Sequence, residues 1–93
     1  MMRASGGQNK QMSLIETVID IPAEHEKNIF GEMDAYAKII EKTLNVTIVE
    51  RNGGTKIIGR ADEIARAKGV FAQLLELSRR GNIITEQNVV YAL

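Results

Sequence analysis

Few residues in this chain have side chains able to do chemistry. His25 is the only histidine among 93 residues, and it stands between Glu24 and Glu26. No second ligand lies at metal spacing and no nucleophile adjoins it, so it reads as a surface side chain. Glu24, Glu26, Glu32 and Asp34 could be imagined as a general acid–base pair. Acids at helix starts, however, are what the positive end of a helix dipole attracts. The absence of cysteine removes thiolate nucleophiles, disulfides and Cys-based metal sites together. A phosphate-cradling loop needs G-x-x-x-x-G-K-[ST] ahead of a helix. The nearest text, Gly53-Gly54-Thr55-Lys56, lacks that spacing and reads as a hairpin turn. No catalytic residue, no metal ligand and no cofactor is assigned to these residues.

Basic residues give the other candidate chemistry. Lys38 and Lys42 are four apart and share a helix face. Arg51, Lys56 and Arg60 gather around the glycine turn. If they converge, they make a local phosphate-binding patch. The alternative is a solvated face balanced by Glu41 and Glu50, with edge-strand lysines that discourage aggregation. Twelve basic and twelve acidic residues give zero formal charge, so a general grip on phosphate backbones is not encoded.

These residues need elements to position them. Leu14 to Ile21 is rich in β-branched residues and reads as a strand stopped by Pro22. Ala23 to Phe30 reads as a short helix interrupted by Gly31. Asp34 is the expected N-cap of a second helix, Ala35 to Leu44, whose stripe is Tyr36, Ile39, Ile40 and Leu44. Val46 to Arg51 and Thr55 to Gly59 read as strands joined at Asn52-Gly53-Gly54. Arg60 to Arg80 is a long helix ending at Gly81, with Gly69 inside it at a cost of about 1 kcal/mol unless something packs close. Thr85 then caps a last helix. With only 4% aromatic residues the core is expected to be aliphatic. The fold class is α+β, in the order β-α-α-β-β-α-α, with a three-stranded sheet packed on helices.

That order, with a glycine between two short helices and a glycine hairpin between the last strands, resembles a KH-type domain. The stretch IFGEMDAYAKIIEKTLNVTIVERNGGTKIIGR narrows the resemblance to the N-terminal domain of PhoH-like proteins. Its marks are Phe30, Gly31 and Asp34, then Ile40 and Glu41, then Gly53 and Gly54. The later LLELSRRGNIITEQNVVYAL is similar to that family as well. The resemblance implies a cytoplasmic protein of RNA metabolism and the phosphate-starvation response. It also implies a P-loop ATPase domain beyond Leu93, where ATP and magnesium are expected. Residues 1–13 are expected to be a flexible leader and residues 14–93 a KH-like accessory domain. The apolar runs are too short for a membrane span, and no export signal is present.

In KH domains a G-x-x-G loop clamps the nucleic-acid backbone. The corresponding text is Gly31-Glu32-Met33-Asp34, with an aspartate for the second glycine and a glutamate in the middle. Gly31, with Lys38, Lys42, Arg51, Lys56 and Arg60, is the candidate set for single-stranded RNA. The other reading gives Gly31 a turn and Asp34 a cap. The domain is then a protein-interaction or oligomerisation module, packing on the ATPase domain, a partner or a copy of itself as a homo-oligomer.

Overall fold

The computed structural model describes residues 13–51 and 54–93, with the backbone alone at Arg51. The expected leader at 1–13 and the turn at Asn52-Gly53 therefore lie outside the described residues, apart from Ser13. The elements are β1 (Ile15–Ile19), α1 (Ala23–Phe30), a 3-10 turn (Glu32–Asp34), α2 (Ala35–Leu44), β2 (Thr47–Arg51), β3 (Gly54–Gly59), α3 (Ala61–Arg79) and α4 (Glu86–Ala92). The expected order of elements holds. β1 is shorter than expected, because Asp20 to Pro22 leave the ladder to enter α1.

The sheet has order β1-β3-β2 and both pairings are antiparallel. Strand period two sorts its side chains. Thr55, Ile57 and Gly59 of β3 are buried under the helices, while Lys56 and Ile58 face away and are half-buried. On β1 the same register puts Ile15, Thr17 and Ile19 on the helix side and Glu16 and Val18 on the open side. No described helix covers that open side. Arg51 pairs with Gly54, the register that a two-residue connection through Asn52 and Gly53 requires.

The core joins Ile29 and Phe30 of α1, Ile40 and Leu44 of α2, Ile57 of β3, Ile64, Ala67, Phe71 and Leu74 of α3, and Val89 of α4. The aliphatic expectation holds for most of it. At its centre, however, Phe30 and Phe71 meet edge to face at 5.9 Å and 74°, the geometry that aromatic quadrupoles favour. The cap expected at Thr85 is present and reciprocal. Its hydroxyl accepts from the Asn88 amide at 3.2 Å, and its own amide donates to Asn88 Oδ1 at 2.9 Å.

The two edges of the sheet differ. On β2, the Ile48 amide donates to Glu41 Oε2 at 2.7 Å, so a helix carboxylate occupies an edge N–H. β1 carries no comparable plug among the described residues.

Candidate functional site

Three elements meet at the mouth between α1 and α2. Gly31 has φ 81° and ψ 169°, a region open essentially to glycine. Its amide donates to Lys27 O at 3.0 Å, ending α1, and Asp34 N closes the turn on Gly31 O at 3.1 Å. The glycine also lets the Tyr36 ring lie close. A Cβ at position 31 would stand 2.7 Å from a ring carbon. The Tyr36 hydroxyl donates to Ile84 O at 3.2 Å, tying the loop to the segment before α4.

Met33 (φ 54°) and Asp34 (φ 60°) are both left-handed. This corrects the expectation for Asp34. It occupies the N-cap position of α2, but its side chain makes no cap hydrogen bond, because an N-cap needs extended backbone to aim its oxygen at the helix amides. Its carboxyl turns to Glu50 of β2 instead.

Glu50 titrates above its ordinary value of 4.5. Partial desolvation is the largest cause, followed by the charge of Asp34, a hydrogen bond with the Asp34 side chain, and the charge of Glu26. A carboxyl with a raised folded pKa binds protons more tightly in the fold than in the unfolded chain. Stability therefore falls as pH rises from 4.5 through the raised value. Glu50→Gln should raise the thermal midpoint at pH 7 and leave it unchanged at pH 4, as differential scanning calorimetry at the two pH values would measure.

The six candidate RNA-contacting residues fall in separate places. Gly31 forms the loop. Lys38 in the first turn of α2 and Lys42 in its last stand exposed, with no ion pair among the described residues. Lys56 lies on the open sheet side, 3.1 Å from Glu16. Of Arg51 the backbone alone is described, paired with Gly54 of β3. Arg60 precedes α3, with its Nε 4.0 Å from Asp62 and 3.8 Å from Glu63. Lys56 and the two α2 lysines thus belong to different layers and do not converge on one phosphate track.

The histidine is not a simple surface residue. His25 is half-buried and its Nδ1 lies 2.7 Å from Ser78 Oγ of α3. A serine beside a histidine invites a nucleophilic reading. Yet Ser78 is buried, and its oxygen also accepts from Asn28 Nδ2 at 2.9 Å. Asn28 further donates to Asn82 O at 2.8 Å and accepts from Ile84 N at 2.9 Å. The cluster is a polar clasp holding α1, α3 and the approach to α4, with its buried groups satisfied. Sequence spacing offered no signal for it, since its partners lie 50 to 56 positions apart.

Among the described residues neither ATP nor a metal finds a fitting site. Gly54, Thr55 and Lys56 are strand residues, Thr55 is buried, and Lys56 pairs with Glu16. A phosphate loop needs free amides ahead of a helix. Among the described residues no group of three or more His, Asp or Glu could hold a metal ion. No described helix is long and apolar enough to cross a membrane.

Fold and loop define a small α+β domain in which a three-stranded antiparallel sheet is packed on helices, with an acidic, glycine-hinged turn between the first two. The chain is 33% identical over 66 residues, 71% of its length, to a PhoH-like protein of Bacillus subtilis (strain 168). This bears out the resemblance read from the Phe30-Gly31 turn and the glycine hairpin. The chain spans about a fifth (21%) of that relative's length. No family model matches the chain, and no solved structure matches it significantly.

Proposed function

We propose that the chain is a KH-like accessory domain of a PhoH-like protein, without catalysis of its own, and that it works by docking on other protein. The fold supports the KH-like reading through its β-α-α-β-β-α-α order and its fully antiparallel sheet. The observation that carries docking is apolar surface around α4. Ile83 is 83% exposed, Tyr91 78% and Val90 55%. Single exposed apolar residues are ordinary, but three within nine positions, two on a short helix and one in the segment leading into it, mark a contact surface. The occupant is the remainder of the PhoH-like protein, including the ATP- and magnesium-binding domain that the resemblance implies, in a cytoplasmic setting.

The mouth of the loop argues against an RNA clamp. Asp34 and Glu26 lie close enough to perturb Glu50, and three carboxylates repel a phosphate backbone. One observation favours a second reading: Lys38 and Lys42 are exposed and unpaired among the described residues, on the helix that follows the Gly31 turn. Fluorescence anisotropy of labelled single-stranded RNA, at low and physiological salt, separates the two. The docking reading expects no saturable binding at either salt. Binding that weakens with salt and is lost in Lys38→Ala/Lys42→Ala would favour RNA.

A further inference from the structure

We propose that β1 is the pairing edge for a second copy of this chain, making a continuous six-stranded sheet with the two α3 helices side by side beneath it. This rests on the reading of the chain as a protein-docking domain but uses a different surface from α4.

The β1 edge is open and largely apolar, with Glu16 its one charge. Leu14 and Val18 are each 64% exposed and Ile15 is 46% exposed. Edge strands are normally blunted by charge, proline, bulges or a cover. β2 is blunted by Glu41 on the Ile48 amide, whereas β1 has no proline, no bulge and no cover among the described residues. Below it, a groove of about 410 Å³ runs between β1 and α3, lined by Ile15, Thr17, Ala61 and Ala65. A second hollow of about 190 Å³ continues it past Ile19 and Ala72, and Lys68 borders both. Gly69 belongs to the exposed surface of α3, and a Cβ added there would meet nothing within 4 Å. Its helix cost of about 1 kcal/mol is thus unexplained inside the domain. With Ala61, Ala65 and Ala72 it leaves α3 low enough for another helix to approach.

Backbone direction and charge together allow β1 to pair with its own copy in one register. The Ile48 amide points away from β3, so Ile48 and Ile57 form a non-hydrogen-bonded pair. Ile57 must then bond Thr17 on its other side, which leaves the N–H and C=O groups of Glu16 and Val18 facing outward. Antiparallel pairing of two β1 strands through those groups has three central registers. A two-fold at Glu16 sets Glu16 against Glu16 of the second copy. A two-fold at Val18 sets Glu16 against its Asp20. Like charges directly opposed destabilise a sheet. A two-fold at Thr17 pairs Glu16 with Val18 and Ile15 with Ile19, opposes no like charges, and places both isoleucines over the groove.

The register is tested with the 93-residue chain, which has no native cysteine. Thr17→Cys brings its thiols together at the two-fold, in a non-hydrogen-bonded pair whose Cβ separation approaches that of a disulfide. Mild oxidation should convert most of Thr17→Cys to a covalent dimer and only a minor fraction of Val18→Cys. Sedimentation equilibrium should show a wild-type dimer that Ala65→Arg returns to monomer. A wild-type chain that stays monomeric to about 1 mM would overturn the proposal. So would a dimer indifferent to both Thr17→Cys and Ala65→Arg, which would place the contact elsewhere. Neither result touches the α4 surface, so the docking reading fails or stands on its own measurement.

Discussion

Phe30→Ala is expected to destabilise the domain by about 4 kcal/mol, the range for emptying an aromatic site in a well-packed core. Phe30 is 2% exposed and its ring meets Phe71 edge to face at 5.9 Å. Truncation removes the transfer free energy of the ring and the pair geometry, which adds about 0.5–1.5 kcal/mol beyond area. The site has little freedom to collapse, because Phe30 is the last residue of α1 and Gly31 fixes the chain direction after it. Small domains of this size hold together by about 5–15 kcal/mol, so this one change removes a large share. Urea denaturation followed by circular dichroism measures it as a lower midpoint at unchanged slope. Phe30→Leu, which refills most of the volume, should cost less than half as much.

Gly31→Ala comes next, at about 2–4 kcal/mol, with two separable causes. The backbone at φ 81° and ψ 169° costs a side-chain residue about 1–3 kcal/mol. The new methyl would also stand 2.7 Å from the Tyr36 ring. The ring has limited room to yield, since moving it breaks the hydroxyl bond to Ile84 O, which contributes about 1 kcal/mol. A double-mutant cycle separates the two. In a Tyr36→Ala background, Gly31→Ala should lose the steric part and keep the dihedral part. Equal costs in both backgrounds would show that the ring does not constrain this glycine.

The turn is also where sequence and structure part. Its glycine was legible, because few residues besides glycine end a helix so abruptly before another begins. The role of Asp34 was not. The preference of aspartate for N-caps assumes extended backbone, and the left-handed pair Met33-Asp34 turns the carboxyl towards Glu50, a residue on a strand sixteen positions on. Elements read well wherever the signal was local. The stripe on α2, the cap at Thr85 and the strands flanking Asn52-Gly53 each rest on residues within one or two turns of each other. The polar clasp of His25, Asn28 and Ser78 rests on contacts across 50 positions or more, and no local pattern announces it. Lys38, Lys42 and Lys56 could be named as candidates but not assembled. Whether basic residues converge depends on which layer and which face each occupies, and that is fixed only when the helices pack on the sheet. The bareness of the β1 edge was equally hidden. It shows only by contrast with β2, whose amide is taken by Glu41.

The central claim is that this domain works by docking on protein through surface left apolar around α4. Amide hydrogen exchange tests it most directly. The 93-residue chain alone is compared with a longer polypeptide in which it replaces the matched 66 residues of the Bacillus subtilis relative. The docking account expects the amides of α4 and of the segment around Ile83 to gain protection in the longer polypeptide, while those of the buried α3 core, already slow, change little. Identical exchange across residues 83–93 in the two polypeptides would contradict it.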